Sequence, residues 1–520
     1  GYATMYDTTS GANNIGVGSS ALENLTTGNL NVAVGQGAMV TATDVSNCVI
    51  IGTYAGDAIN DTGADGTVAI GRDSLGALTS GAKNVAIGYE SGKALETGER
   101  NVIIGYQAGL TTTNVDAAVI IGNYAGASNM TQDADGTVAI GRSCGTNITS
   151  GIANTAVGYG ALYGEDDGDY NTAMGYAALN SQTGVSGTVG NTALGYKAGY
   201  AVTTGVANTI LGYSAGDALT TSQYNTVLGY NALGAEVTRG TSVAIGYEAL
   251  ALQTHASDGA NSENVGIGFQ AGLRNVTGKS NTSIGFEAMK GASGQSNSNN
   301  TAIGKHSLLS VTTGSHNVSI GMNSGDAVTD GAYNVFMGYY AGSTTTSAER
   351  SIAIGAEALE TGNHDQDGTV AIGSKALQRV TTGVGNVAIG LEANANITTA
   401  SWNTAVGYKA LSSGTASANN NTAIGFEAGR YLGDDGTSNH SSFNTIIGRS
   451  AMGGGHTSTP AGNTANLNIA IGHGAIGGGT GSSTNLTATG NTAIGYTSMN
   501  VVTSAANNVS LGYGTLQSLT

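Results

Sequence analysis

One short pattern of apolar, small and polar positions recurs along the whole chain. Residues 84–89 read Asn-Val-Ala-Ile-Gly-Tyr, and residues 403–408 read Asn-Thr-Ala-Val-Gly-Tyr. The glycine of this motif occurs 28 times between Gly18 and Gly512, and 17 of the 27 intervals between successive copies are 17 residues long. A larger block is also repeated, because residues 64–72 recur as residues 134–142. A fixed period of this kind predicts a repeat protein in which each period forms one structural unit.

The alternation within the motif predicts strands. The residue before the motif glycine is Ile, Val, Leu or Met in all 28 copies, and the residue two positions earlier is usually β-branched. Residues i and i+2 of a strand share a face, so we expect both to point into the core. The sequence therefore predicts an all-β protein, a parallel β-solenoid (β-roll) of about 28 coils with a 17-residue repeat and two short strands per coil. Ile87, Ile104 and Ile121 should stack in one column.

Two further columns of the repeat hold small residues. Ala86 represents the position between the two apolar residues, and Ala108 represents the third position after the motif glycine, which is Ala in 21 copies. Since these residues are predicted to face away from the core of the coil, several chains could pack side by side against them. We expect a homotrimer in which Ala86 or Ala108 faces the symmetry axis.

Polar and aromatic columns predict ladders between the coils. Asn84 and Asn101 belong to a column of asparagines, which predicts a ladder of side-chain amides. Tyr follows the motif glycine in 12 copies, which predicts an aromatic stripe that leaves its hydroxyls in contact with water.

Composition removes several classes of protein. The 85 glycines and the single proline do not follow the Gly-X-Y period of collagen. Hydrophobic residues make up 40% of the chain, and this content argues against disorder. A net charge of −17, with the 17 basic residues spread along the chain, leaves no basic patch for nucleic acid. The sequence contains no run of 18 apolar residues, so we expect no membrane insertion.

Candidate chemistry is sparse. Cys48 and Cys144 lie five coils apart, too far for a disulfide, and Cys144 occupies the small column, where we expect a buried thiol. The seven histidines form no metal-binding motif, and acidic turns such as residues 165–169 lack the full ligand set of a calcium loop. We therefore predict no metal, no cofactor and no catalytic residues, in a protein that is not an enzyme.

Two other functions are weaker alternatives. A polysaccharide depolymerase would need two carboxylates in one groove, whereas the acids of this chain fall in variable turns. Ice binding would need a flat ladder of threonines. It is disfavoured because Thr alternates with Val in its column and is expected to point inward.

The repeat, as in Asn-Thr-Ala-Ile-Gly-Tyr-x-Ala-Leu followed by Thr-Thr-Gly, resembles arrays in bacteriophage tail fibres. It also resembles the Ser-Val-Ala-Ile-Gly repeats in YadA-like heads of trimeric autotransporter adhesins. The resemblance covers essentially the whole chain and implies a trimeric β-roll at a virion surface or, alternatively, a bacterial cell surface. The 17-residue coil is longer than the adhesin repeat, and no anchor, coiled-coil stalk or C-terminal chaperone is evident. We expect one segment of a longer or processed protein.

Loop lengths indicate where contacts would form. Residues 1–520 read as a single continuous repeat region, but the intervals ending at Gly448, Gly472 and Gly495 are 23, 24 and 23 residues long. Insertions in solenoids form loops that can carry binding. We therefore predict a fibre shaft whose long-loop section, residues 430–490, contacts a cell-surface glycan, a partner protein or a neighbouring fibre. Its predicted contact residues are Tyr431, Phe443 and His456.

Overall fold

The chain folds as a parallel β-solenoid. The computed structural model describes residues 1–183, 186–238, 240–254, 261–292, 296–361, 367–413, 418–432, 441–453, 465–477, 486–502 and 504–519. They belong to two compact units, Gly1–Ser262 and Glu263–Thr520. In the described part, each unit contains 14 strands of three residues, paired in parallel from coil to coil. The predicted all-β solenoid with a 17-residue repeat is confirmed. The single continuous region over residues 1–520 stays a prediction.

The strands of the first unit follow one another at the spacing of the repeat. They are β1 (Ile15–Val17), β2 (Val32–Val34), β3 (Val49–Ile51), β4 (Val68–Ile70), β5 (Val85–Ile87), β6 (Val102–Ile104), β7 (Val119–Ile121), β8 (Val138–Ile140), β9 (Thr155–Val157), β10 (Gly168–Asp169), β11 (Thr172–Met174), β12 (Gly187–Thr188), β13 (Thr192–Leu194), β14 (Thr209–Leu211), β15 (Thr226–Leu228) and β16 (Val243–Ile245). This unit also contains two short 3₁₀ helices, Thr62–Ala64 and Gln132–Ala134.

The second unit repeats the same arrangement. Its strands are β17 (Val265–Ile267), β18 (Thr282–Ile284), β19 (Thr301–Ile303), β20 (Val318–Ile320), β21 (Val335–Met337), β22 (Ile352–Ile354), β23 (Val370–Ile372), β24 (Val387–Ile389), β25 (Thr404–Val406), β26 (Thr422–Ile424), β27 (Thr445–Ile447), β28 (Ile469–Ile471), β29 (Thr492–Ile494), β30 (Val501–Val502), β31 (Val509–Leu511) and β32 (Ser518–Leu519).

The second side of the coil differs from the prediction. The sequence pattern predicts a second strand in each coil, but among the described residues only β10 with β12 and β30 with β32 form such a ladder. Elsewhere that side consists of turns in which residues such as Leu22 and Leu75 have left-handed backbones, with φ of 55° and 51°. These turns still stack, because the Leu22 N–H donates to the Ala38 carbonyl of the next coil at 3.1 Å. Alternating left-handed residues cannot form an extended pleat, so the coil closes with one strand.

The aliphatic column stacks in register, as predicted, but on the opposite face. Ile87 pairs with Ile104, which in turn pairs with Ile121. Their side chains point out of the coil, whereas the middle residue of the strand, Ala86, is fully buried. The prediction that the aliphatic column forms the core is therefore wrong. Ala108 is also fully buried within its own chain, so the prediction that Ala86 or Ala108 faces a neighbouring chain is wrong as well.

The narrow interior of the coil explains this reversal. The interior of each coil is shared between the middle residue of the strand and several residues of the turns, such as Ala69 with Leu75 and Leu78, all fully buried. Two aliphatic side chains of one strand could not both enter that space. The outward face also carries the threonines that begin β13, β14 and β15, which are exposed. The expectation that the threonine column points inward is therefore wrong.

Size complementarity fills the core. Where the inward strand residue is large, a glycine in the same coil often makes room for it, although Ile446 shares its coil with the buried Met452. Phe336 is the largest fully buried side chain, and a Cβ added at Gly342 would lie 2.7 Å from its ring. Where the strand residue is alanine, a leucine commonly occupies the turn position, as Leu359 does beside Ala353. Interiors are packed closely enough that these two choices influence each other. This accounts for part of the variation between leucine and glycine in the turn column, although some alanine coils, such as that of Ala86 and Gly92, carry glycine as well.

The asparagine ladder is confirmed and is buried. The Asn101 Nδ2 donates to the Asn84 Oδ1 at 3.1 Å and to the Val115 carbonyl at 2.7 Å. The Asn101 Oδ1 accepts a hydrogen bond from the backbone N–H of Ala118 at 2.8 Å. Each amide thus joins three coils, and buried polar groups stabilise a fold only when they are satisfied in this way.

The motif glycine permits the close stacking of the coils. Gly88 has φ of 140°, and a Cβ at this position would overlap the carbonyl oxygen of Gly105 in the next coil. The same overlap recurs between Gly105 and Gly122. A side chain would therefore push the coils apart, and this explains why the position is glycine in all 28 copies.

The pairing of Phe336 with Gly342 can be tested by a double-mutant cycle. We expect Phe336→Ala to lower the unfolding free energy by about 3–5 kcal/mol through a cavity. Gly342→Leu alone should lower it by about 1–3 kcal/mol through overpacking. Leu359 has φ of 54° at the equivalent position, so the backbone accepts leucine there. The double variant should recover stability relative to the sum of the single variants, measured by denaturant unfolding. Strict additivity would contradict the proposed complementarity.

Candidate functional site

The predicted contact residues fall on different parts of the coil. Phe443 is 59% exposed and directly precedes the ladder residue Asn444. Tyr431 is half-buried, six positions after the motif glycine Gly425, with the Arg430 Cζ 5.0 Å from its ring centroid. His456 lies outside the described residues. The structure thus places Phe443 and Tyr431 in separate columns and does not join the three residues in one site.

Phe443 belongs to an exposed column that the sequence analysis missed. Residues that directly precede the ladder asparagine include Trp402 and Leu467, which are 62% and 60% exposed. The Phe443 N–H donates to the Asn419 carbonyl at 3.1 Å, and the Trp402 N–H makes the equivalent bond to Val384 at 2.8 Å. Their φ angles near 60° turn each side chain outward. The signal for this column was its fixed place before the asparagine, but its residue type varies too much to stand out.

The predicted tyrosine column forms a stacked ladder on the surface. Six tyrosines of successive coils, 159, 176, 196, 213, 230 and 247, have ring centroids 4.8–5.3 Å apart and interplanar angles of 7–13°. Tyr213, the most exposed of them, is 50% exposed. Since each ring face within the ladder contacts a neighbouring ring, the ladder presents edges and hydroxyls to solvent. Its inner rings therefore have no open face on which a sugar could stack.

The outward aliphatic column places a continuous row of apolar side chains on the surface of the described coils. Within the first unit, Met174, Leu194 and Leu211 of successive coils are 40%, 45% and 37% exposed. The β-branched residues that begin the strands lie on the same face, two positions earlier. No polar residue occurs at the aliphatic position in any of the 28 copies, and an apolar surface of this kind is a candidate for an interaction.

The two thiols are buried, and both cysteines are free. Burial raises the pKa of Cys48 to about 11 and that of Cys144 to about 12. Since the thiolate is the reactive form, both are inert at neutral pH. The prediction that Cys144 is a small buried residue is confirmed.

An acidic corner in the first unit brings three carboxylates together. In the described part of the chain, Glu165, Asp166 and Asp167 form a group whose ligand atoms lie within 4.8 Å of one another. The Glu165 Oε1 accepts hydrogen bonds from the N–H groups of Gly168 at 2.7 Å and Asp166 at 3.0 Å. Burial raises the pKa of Glu165 to about 7 despite these bonds. The corner is thus organised by its own backbone, and Glu165 fills a core position.

Glu165 makes stability depend on pH. Its pKa rises from 4.5 to about 7 on folding, so between these values the folded state holds a proton that the unfolded chain releases. Stability should therefore fall as pH rises through this window, by an amount on the order of 3 kcal/mol. We expect Glu165→Gln to remove this part of the pH dependence, measured as denaturation midpoints at pH 5 and pH 8. Glu96→Gln, at an exposed position, is the matched control. An unchanged slope in Glu165→Gln would contradict this assignment.

Comparison of the chain with known proteins finds no relative. No family model matches the chain, and no curated protein matches it. Among the described residues, no helix has the length and apolar character needed to cross a bilayer.

Proposed function

We propose that the chain is a shaft segment of a homotrimeric attachment fibre, of the kind its repeat resembles in bacteriophage tail fibres. Its place would be the virion surface, where it would space and present loops for attachment to a host cell. A bacterial surface adhesin would use the same shaft in the same way. The proposal is that of a structural protein without catalysis, whose main partner is another copy of itself.

The outward aliphatic column is the observation that carries this proposal. A face that only met water would have accumulated polar side chains in some of its 28 copies, but it has none at the position before the motif glycine. The inward Ala column already fills the interior of the coil. We therefore infer that a partner outside this chain covers the aliphatic side chains.

A second and third copy of this chain fit that face better than an unrelated partner. The face repeats once per coil, and Ile70, Ile87 and Ile104 hold successive positions in strict register. A partner that covers every position needs the same spacing along its length, and another copy has it by construction. Three copies would enclose the aliphatic columns around one axis. The trimer would thus form through the face opposite to the one that the sequence suggested.

The exposed part of the column adds to the area available for association. In the first unit, six of its fourteen residues are between 36% and 55% exposed, and the others, such as Ile87, are half-buried. Since a standard interface buries ~800 Å² per partner, the β-branched column on the same face would have to contribute to the interface as well.

Charging the aliphatic face should break the assembly. We expect the parent chain to scatter light as three times its 51.3 kDa mass. Ile70→Lys, Ile87→Lys and Ile104→Lys combined should yield a lower mass, because burying three unpaired ammonium groups is strongly unfavourable. Thr27→Lys, Thr62→Lys and Thr97→Lys, all at exposed positions, add the same charge as a control and should leave the mass unchanged. A parent protein that is a stable folded monomer would rule out the proposal.

Attachment is proposed for the long-loop section, residues 430–490. Phe443 and Leu467 present exposed apolar side chains there, and the inserted residues follow them in the same coils. Trimming the three long intervals to 17 residues should remove binding to a glycan microarray while leaving the scattering mass unchanged. The parent and Trp402→Ala serve as controls, because Trp402 lies in the same column but outside the section. Equal array signals from the trimmed and parent chains would show that these loops do not carry attachment.

A further inference from the structure

The first unit contains two copies of one repeated block whose surroundings differ. In the second copy, an arginine has lost the carboxylates that lie near its counterpart in the first copy. Arg72 and Arg142 occupy equivalent positions 70 residues apart in identical nine-residue segments. Each guanidinium covers the tyrosine of the next coil, with the Arg72 Cζ 5.9 Å from the Tyr89 centroid and the Arg142 Cζ 5.7 Å from that of Tyr159. The two copies therefore allow a direct comparison of what surrounds the same arginine.

Acids neutralise the arginine of the first copy. The Arg72 Nε lies 3.1 Å from the Asp73 carboxylate. In the next coil, the pKa of Glu90 is lowered, first by hydrogen bonds from Lys93 and Gln107 and also by the charge of Arg72. Lys93 bonds to Glu90 at 2.7 Å. Arg72 and Lys93 in this first copy thus each have a carboxylate nearby.

The second copy has lost both acids. Ser143 stands where the first copy has Asp73, Gly160 where it has Glu90, and Tyr163 where it has Lys93. Within the described residues, Arg142 forms no ion pair in a chain whose net charge is −17. The preceding coil offers Asn123 at the position equivalent to Arg142, which brings no carboxylate either.

A depression of about 330 Å³ lies among the replaced residues and is lined by Ser143, Tyr159, Gly160, Tyr163 and Asn180. Arg142 does not line it, but the Arg142 guanidinium packs against the ring of Tyr159, which does. A Cβ on Gly160 would have only the Asn180 Nδ2, at 3.2 Å, within 4 Å, so the floor is open where Glu90 fills the first copy. The depression begins at the end of the tyrosine ladder, where Tyr159 meets Arg142 instead of another ring.

We propose that this depression binds a sugar that carries a carboxylate. The Arg142 guanidinium can hold a carboxylate through two parallel hydrogen bonds, which gives both charge and geometric selectivity. Tyr163 is 43% exposed and offers an apolar ring to the C–H face of a sugar. The Ser143 hydroxyl and the Asn180 amide can exchange hydrogen bonds with its hydroxyls. The volume accommodates a sugar ring with room for its substituents.

The acidic corner of the same coil does not oppose this assignment. Glu165, Asp166 and Asp167 follow Tyr163 in sequence, but none of them lines the depression. Arg142 is connected to the depression through its contact with Tyr159, so the carboxylate would lie at the Tyr159 end and the sugar ring over Gly160 and Tyr163. The proposal rests on the proposed attachment function, since it names the class of surface glycan that the shaft itself would recognise, in a region separate from residues 430–490.

The experiment compares two sugars that differ in one group. We expect methyl β-D-glucuronide to bind the full chain saturably, with a Kd on the order of 1 mM as befits so small a ligand. Methyl β-D-glucoside, in which a hydroxymethyl group replaces the carboxylate, should bind at least about tenfold more weakly. Both titrations are followed by ligand-observed NMR. Absence of saturable glucuronide binding, or equal binding of the two sugars, would overturn the proposal.

The first copy supplies a matched variant. Ser143→Asp combined with Gly160→Glu restores the acids of the first copy at positions with the same left-handed backbone, φ of 51° and 61° against 56° and 53°. It should fold and should weaken glucuronide binding at least about tenfold. Arg142→Gln should remove the preference for glucuronide. Unchanged binding in either folded variant would contradict the assigned site. Light scattering of the same variants reports assembly separately, so failure of this site and failure of the fibre proposal are distinguishable.

Discussion

The structure depends on the vertical contact between successive coils. Backbone groups, buried amides and the motif glycines all connect residues about 17 positions apart, so the chain gains its contacts with its own next repeat. The Asn101 N–H donates to the Asn84 Oδ1, while the Gly88 and Gly105 backbones approach too closely for any Cβ. An unsatisfied polar group in the asparagine column, or a methyl group added to a motif glycine, would therefore disturb the stacking of the next coil. This constraint explains why the motif position is glycine in all 28 copies and why asparagine predominates in the ladder column.

The choice of core side chains depends on that stacking. Because the coil spacing is fixed, only side-chain volume can vary, and large strand residues such as Phe336 are matched by glycines such as Gly342. Alanine on the strand allows leucine in the turn. The core is thus built from compensating pairs, and variation between coils is absorbed inside each pair without changing the backbone that the next coil stacks upon.

We place the proposed functions on the outer surface, where the columns of the repeat differ in how much their residue types vary. The aliphatic column stays apolar in every copy, as a face that meets identical faces would. The tyrosine ladder closes its own ring faces, so recognition of a ligand is favoured where the ladder ends. The depression at Tyr159 and Gly160 is such an end, and it arises from three replacements in a duplicated block. Regular stacking and local recognition can therefore coexist in one chain.

Much of this architecture could be read from the sequence. The period of 17, the parallel register of Ile87 with Ile104, the asparagine ladder and the tyrosine column all follow from fixed positions, because a residue repeated at one spacing must stack on its own copy. Phe443 is exposed, and its role as a contact residue stays a prediction. Trp402 and Leu467, which lie in the same column, did not stand out because the residue types of that column are mixed.

The tertiary structure alone decided which side of the strand is inside. Alternation shows that Ala86 and Ile87 face opposite ways, but it is symmetric and cannot tell the interior from the surface. The choice depends on the space that the left-handed turns leave within the coil, and this space admits alanine with leucine and excludes two aliphatic strand residues. The pairing of Arg142 with an open depression was hidden for a similar reason. It depends on side chains from three coils, which are adjacent only after the chain has wound.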